Sequence, residues 1–406
     1  MKKLLPDPEL EALIRRLNTA ARESEDETPD VERDGEEGAR DPGSRRWRLA
    51  APSDEAWEWL DDLLRRARSD HASDLLLVAQ APPTVRVNGR LRSLGRKKLG
   101  GGALELVSSA LVPKSHRELA ERNGHVDFSL ERPGAGRVRC NVHRQRGRWS
   151  AAIRLLAEQA PELGELALPD RLAGFADLAR GLLLVTGPTG CGKSTTLAAL
   201  VRRILEQREV HLITIEDPVE YEHSHTNSVV EHVEVGRDVA TFAEALRSAL
   251  RQDPDVLLIG EMRDRESMSI AITAAETGHL VLATLHTSDA PQTLHRILDS
   301  YPANQMDAVR TQLSASLAGI VSQQLVPRAD GSGRVPAVEI LVATQAVRNL
   351  IRQGKIEQLR SQLTLERQTG MLDLDRSLAG LVRAGLVDAK EARFRARQPE
   401  EFDRRL

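Results

Sequence analysis

Between Gly187 and Ser194 the chain reads GPTGCGKS, which satisfies G-x-x-x-x-G-K-[ST] at every position. The preceding LLLVT has the texture of a buried strand. The following STTLAALVRRIL has helical period, with Leu197, Leu200, Val201 and Ile204 on one face. Strand, glycine turn and helix in that order make a phosphate cradle. Glycines let backbone N–H groups turn inward, and the helix start adds roughly half a positive charge at the same point. Gly187, Pro188, Thr189, Gly190, Cys191, Gly192, Lys193, Ser194 and Thr195 are therefore read as a loop that binds ATP. Lys193 is expected on the β- and γ-phosphates and Ser194 on Mg²⁺. Cys191 reads as a small loop residue, with redox sensing as the minor alternative.

Magnesium keeps several waters and takes few protein ligands, so an acid is expected on a neighbouring strand end. The segments HLITIEDPVEY and PDVLLIGE each supply one, Glu216 and Glu261, directly after an apolar run. A third run, HLVLATLHT, ends at His286. In open α/β sheets, ligands bind at the C-terminal ends of the strands. Gly187, Glu216, Glu261 and His286 all fall there, and His279, which precedes its strand, falls at the opposite rim. One glutamate should stand beside the metal through water and the other should polarise the attacking water. Spacing leaves that assignment open.

The elements that must position these groups come from 406 residues, of which 40% are hydrophobic, 29% charged and only 3% aromatic. That is ordinary for a globular protein, with a core made of Leu, Val, Ile and Ala. The formal net charge of −3 and the lack of a basic, aromatic-interleaved stripe argue against a nucleic-acid partner. Two cysteines, Cys140 and Cys191, exclude a disulfide framework and fit a reducing, cytoplasmic setting. No apolar run reaches the roughly 20 residues that span a bilayer.

Residues 1–52 read as a flexible acidic tail, because Arg22 to Asp41 holds ten acids, three arginines and almost nothing apolar. Within it PELEALIRRL has Leu10, Leu13, Ile14 and Leu17 on one helical face; a frayed terminus is the favoured reading and a docking helix the other. Residues 53–160 read as an α+β domain, beginning with a helix capped by Ser53. A hairpin follows at Asn88-Gly89, then a helix over 103–122 and three strands. Residues 161–179 read as a linker and 180–330 as alternating strands and helices. Residues 331–406 read as a helical subdomain. In 303–325, Met306, Val309, Leu313, Leu317, Ile320 and Val321 keep a helical period.

TIEDPVEY, LRQDPDVLLIGEMRD and TAAETGHLVLATLHTSDA resemble the Asp box, Walker B and His box of bacterial secretion ATPases, which drive type II secretion and type IV pili. SDLLLVAQAPPTVRVNGRLR, AVRNLI and GLVDAKEARFRARQPEEF are similar to segments of the retraction ATPases within that family. The resemblance covers roughly 54–403. It implies an α/β fold: a RecA-like P-loop NTPase core, a smaller PAS-like N-terminal domain and a helical C-terminal subdomain. It also implies a homo-hexamer at the cytoplasmic face of the inner membrane. The partners it implies are an inner-membrane platform protein of the pilus machine and a second related ATPase. It favours Glu216 as the water-activating residue and Glu261 as the acid on the magnesium side. It further implies arginines of the N-terminal domain reaching the phosphates, at the matching positions Arg137, Arg139 and Arg154, of which Arg139 and Arg154 are preferred. AVRNLI resembles a motif tied to motor output; read alone, it is an amphipathic helix with an exposed Arg-Asn pair.

The function expected is an Mg²⁺-dependent ATPase motor for pilus retraction. An assembly or secretion ATPase of the same superfamily is the nearest alternative, and the absence of its usual tetracysteine motif favours retraction. A nucleic-acid translocase and a non-hydrolysing adaptor are weaker readings.

Overall fold

The computed structural model describes residues 11–12, 14–19, 21, 49, 54–365 and 369–406. It divides into two compact units after Glu158. The acidic run from Arg22 to Asp41, together with Leu10, Leu13 and Ser53, lies outside the described residues.

The first unit is an antiparallel sheet in the order β3-β2-β1-β6-β5-β4. Its strands are β1 Asp74–Leu77, β2 Thr84–Val87, β3 Arg90–Ser93, β4 His125–Arg132, β5 Gly136–Gln145 and β6 Arg148–Leu155. Asn88 and Gly89 take φ of 49° and 80°, the paired positive values that a two-residue hairpin turn requires. The helix Asp54–Ser69 carries acids in its first turn and arginines in its last, matching its dipole, and buries Trp59, Leu60, Leu63 and Leu64. The helix expected over 103–122 is two helices, Gly101–Leu111 and Lys114–Asn123. Pro113 separates them: it lacks an N–H and pushes Val112 into extended backbone.

The tail expected to be flexible over 1–52 carries an anchored stretch. Residues 14–19 are helical, and Ile14 and Leu17 are buried in the core of the first unit. Asn18 Oδ1 accepts the Gly100 N–H at 2.9 Å, just before the helix Gly101–Leu111. For the described residues 14–19, the docked helix is the reading observed.

The second unit is a seven-stranded sheet ordered β13-β12-β7-β11-β10-β8-β9. The strands are β7 Gly181–Thr186, β8 His211–Glu216, β9 Val229–Glu234, β10 Val256–Ile259, β11 Leu280–Leu285, β12 Leu317–Pro327 and β13 Arg334–Val342. All pairings are parallel except β12 with β13. β7, β10 and β11 are buried at every position. One apolar cluster packs the helices Phe242–Ala249, Arg265–Glu276 and Ala290–Leu298 on one face, and another packs Lys193–Gln207 on the other. This is the doubly covered parallel sheet of α/β proteins.

Three expectations change. The period over 303–325 is helical only for Met306–Ser316; the chain then enters β12, where Ile320 and Val321 are buried strand residues. A run buried on both faces does not distinguish helix from strand by period. The linker over 161–179 is ordered: the short turns Leu163–Leu166 and Asp170–Phe175 lay Leu172 and Phe175 into the core of the second unit. The helical piece expected from 331 opens with β13, so the sheet extends past 330 before helices begin at Gln345.

Arg348 of AVRNLI is half-buried rather than exposed. Its guanidinium donates to the carbonyls of Ser314 at 2.7 Å, Ala315 at 2.8 Å and Ala343 at 3.0 Å. It therefore ties down the last carbonyls of Met306–Ser316 where helix becomes β12. Replacing Arg348 by Ala strands those acceptors. A loss of about 2 kcal/mol is expected, a fall of roughly 4–8 °C in the calorimetric midpoint of this unit. An unshifted midpoint would show that Arg348 does not hold the junction.

Candidate functional site

Register brings the chemistry to one rim. Thr186 of β7 stands opposite Leu285 of β11, and Ile259 of β10 stands opposite both Ala283 of β11 and Ile215 of β8. Gly187, Glu216, Glu261 and His286 leave these strands at the same end. His279 lies at the other end, where its ring bonds the Ala274 carbonyl at 2.9 Å and its own carbonyl holds the Gly181 N–H at 3.0 Å.

The phosphate loop needs glycine where it meets β12. Gly187 has φ of 144°, and a Cβ there would lie 2.2 Å from the Gln323 carbonyl oxygen and 2.6 Å from Cys191 Sγ. Gly192, at φ 92°, opens the helix Lys193–Gln207. Gln323 of β12 latches the loop: its Oε1 accepts from Thr196 Oγ1 at 2.8 Å and its Nε2 donates to the Cys191 carbonyl at 2.7 Å. The helical period of 303–325 gives Gln323 no mark of its own; the strand β12 does. Burial raises the Cys191 thiol above its ordinary value, against a smaller pull from Lys193. That disfavours the thiolate a redox sensor needs.

Lys193 is buried, and its Nζ donates to the carbonyls of Gly187 at 2.9 Å and Pro188 at 3.2 Å. It lies 3.4 Å from His286 Nδ1, and His286 Nε2 lies 3.2 Å from Glu261 Oε1. With the ammonium donating to Nδ1, Nε2 is left to donate to the glutamate. Glu261 also accepts from Arg263 Nε at 2.8 Å, and Arg263 reaches Asp217 at 3.4 Å. The hydrogen bond to Glu261, more than any other contact, raises the Arg263 pKa above its ordinary value. Arg263 sits in LLIGEMRD, where nothing in its spacing sets it apart.

Glu216 is buried and its Oε2 accepts the Glu220 N–H at 3.3 Å. Ser194, Glu216, Tyr221, His223, Gly260 and Thr284 line one cavity of about 20 Å³. Leu197, Ala198 and Leu258 complete its walls, and it has room for about one water. Tyr221 OH sits 3.0 Å from Thr195 Oγ1, so the loop after β8 closes over the start of the helix. A larger cavity of about 660 Å³ opens at the opposite rim, lined by Gly181 and Arg348 among others, and contains none of these groups. Chemistry rather than size locates the site.

The residues fit ATP with a divalent cation. A loop that rejects a Cβ, a long helix starting at it, a buried lysine, and a serine and a glutamate lining one water-sized space are the set such a ligand needs.

The expected arginines stand in the first unit. Arg139 of β5 and Arg154 of β6 face each other in register, with Asp74 of β1 next across the sheet. Arg154 Nε donates to Asp74 at 3.2 Å. Arg137 lies two residues before Arg139 on the same strand.

Hydrogen bonds to a partly buried ion pair, Glu339–Arg397, join the His286 segment to the C-terminal part of the chain. Asp289 caps the helix Ala290–Leu298. Glu339 of β13 accepts the Ala290 N–H at 3.0 Å and pairs with Arg397, which donates to the Ser288 carbonyl at 3.0 Å. Arg360 reaches Asp289 at 3.4 Å.

Residues 150–360 match the family model described as type II/IV secretion system protein. A twitching motility protein of Neisseria gonorrhoeae is 43% identical over 341 residues, 84% of this chain and 91% of that protein. The chain belongs to the type II/IV secretion system protein family. Within that family, the type IV pilus retraction ATPase PilT of Pseudomonas aeruginosa is 42% identical over 84% of this chain and 99% of its own length. A crystal structure of the pilus retraction motor PilT with bound ADP superposes with a TM-score of 0.78 at 43% identity, covering 85% of this chain and 99% of that one. The family's RecA-like ATPase fold is the fold of the second unit.

Gly187→Ala forces the new methyl group into the β12 backbone. We expect binding of a fluorescent ADP analogue to fall beyond detection while the protein stays folded by circular dichroism; wild-type affinity would show that this close approach is dispensable.

Proposed function

We propose that this chain is an ATP hydrolase that powers retraction of a type IV pilus from the cytoplasmic base of the machine. The observation that carries the chemistry is the water-sized cavity shared by Ser194 and Glu216 at the mouth of the phosphate loop. Identity above 40% along nearly the whole of a twitching motility protein and of PilT supports the direction of work.

In this reading Lys193 grips the β- and γ-phosphates, and backbone N–H groups from Gly187 to Thr195 cradle the rest. Ser194 and, through water, Glu261 hold Mg²⁺, which supplies charge neutralisation when bound. Glu216 orients and polarises the attacking water inside the small cavity. His286 reads the γ-phosphate through its contact with Lys193. Arg139 and Arg154 act as fingers on the developing charge, a contribution of about 10³–10⁵ in rate, or roughly 4–7 kcal/mol. The working unit is a homo-hexamer docked on an inner-membrane platform protein, with a second related ATPase as a co-worker. No helix among the described residues is long and apolar enough to cross a membrane.

Steady-state ATP hydrolysis is expected from the wild type and, with Glu216→Gln, a fall of at least about 100-fold. Equal rates would remove Glu216 from the mechanism. Deleting the gene separates the two directions of force: retraction predicts immobile cells with excess pili, and assembly predicts bare cells.

A further inference from the structure

We infer that His232, together with Glu234, positions the loop from Asp217 to His223 and through it the Glu216 carboxylate. The inference rests on the reading that Glu216 polarises the attacking water. β9 is the edge strand of the sheet, parallel to β8. Residues two apart on a strand share a face, so His232 and Glu234 point the same way. Both meet the loop. Glu234 Oε2 accepts the Val219 N–H at 3.3 Å. His232 Nε2 lies 3.1 Å from the His223 nitrogen and 3.3 Å from its carbonyl oxygen, so in either tautomer it bonds the His223 main chain. Its Nδ1 lies 2.9 Å from Thr214 Oγ1 on β8, which fixes the ring from the other side.

The two histidine rings stack, with centroids 6.0 Å apart and planes 18° from parallel. Burial, with a smaller contribution from His232, lowers His223 to about 4, so a neutral ring packs there at pH 7. The loop held in this way carries the groups around Glu216. Glu220 donates its N–H to the carboxylate, Tyr221 reaches Thr195, and His223 walls the cavity that Ser194 and Glu216 share. β9 thus positions the catalytic loop from outside the nucleotide site.

The test is steady-state ATP hydrolysis by the full chain, with ATP varied. His232→Ala is expected to lower kcat at least about tenfold with KM within about threefold, since misplacing a reacting group by ~1 Å costs about 10² in rate. His232→Gln, which keeps a donor and an acceptor on one terminus, should recover to within about threefold of wild type. Glu216→Gln runs in parallel. If Glu216→Gln is inactive and His232→Ala turns over normally, positioning by β9 is overturned and the site reading stands. If Glu216→Gln stays active, the site reading itself fails. A change carried by KM, or a Gln variant as impaired as the Ala variant, also overturns the inference. Should His232→Ala lose ADP binding altogether, Glu234→Ala carries the test: a lowered kcat at constant KM supports it and a wild-type kcat overturns it.

Discussion

The site depends on the register of four buried parallel strands. Ile215, Ile259 and Ala283 stand level across β8, β10 and β11, so the residues that follow them, Glu216, Gly260 and Thr284, meet at the rim. The fit is close: a Cβ on Gly260 would lie 3.2 Å from Glu216 Cα, and the Gly260 N–H donates to the Ile215 carbonyl at 2.8 Å. A slip of one residue would turn every buried side chain of a strand to the opposite face. In strands buried at all positions such a slip also misplaces Glu261 and His286 relative to Lys193. The apolar core and the catalytic geometry are therefore one constraint: the packing that excludes water from the sheet sets where the polar ends emerge.

That rim is tied to the rest of the second unit by charge. His286 begins a short segment that ends at Asp289, and Asp289, Ser288 and Ala290 are bonded to Arg360, Arg397 and Glu339. Glu339 is almost completely buried and is paired with the partly exposed Arg397. A displacement of the His286 segment must then carry Glu339 and Arg397 with it or break the hydrogen bonds from Ala290 to Glu339 and from Arg397 to Ser288. On the proposed function, this gives a contiguous bonded route from phosphates to the far end of the chain. Arg348 acts at the opposite rim, where it fixes the point at which Met306–Ser316 becomes β12.

Much of this was legible in the sequence because local chemistry and global position agree there. The glycine loop, the strand before it and the helix after it each follow from short-range pattern, and the polar residues at the ends of β7, β8, β10 and β11 follow from apolar runs. What was not legible depends on long-range packing. Gln323 latches the phosphate loop from β12, but its segment kept a period that fits helix and buried strand alike. β9 reads as VVEHVE, an edge strand with mixed polarity, and only its pairing with β8 reveals it. Ile14 and Leu17 have the spacing of a docking face, yet the acidic composition around them argued for a free tail. Arg263 was hidden because a single arginine beside an acid carries no pattern.

The environments of the two glutamates separate their roles on the proposed reading. Glu216 is buried, faces a space for one water and is held by a backbone N–H. A carboxylate there acts on one confined water in a site of low dielectric, where its charge has the greatest effect. Glu261 is more exposed and has both oxygens engaged, one by His286 and one by Arg263. Each carboxylate oxygen offers two lone pairs, so each keeps one acceptor position after these bonds. Those positions suit waters of a hydrated magnesium ion, which needs acceptors for its water protons more than direct ligands. Arg263 and His286 would hold Glu261 in place to receive them. Because His286 also touches Lys193, a shift of the lysine toward a γ-phosphate would be felt by the carboxylate that would receive those waters.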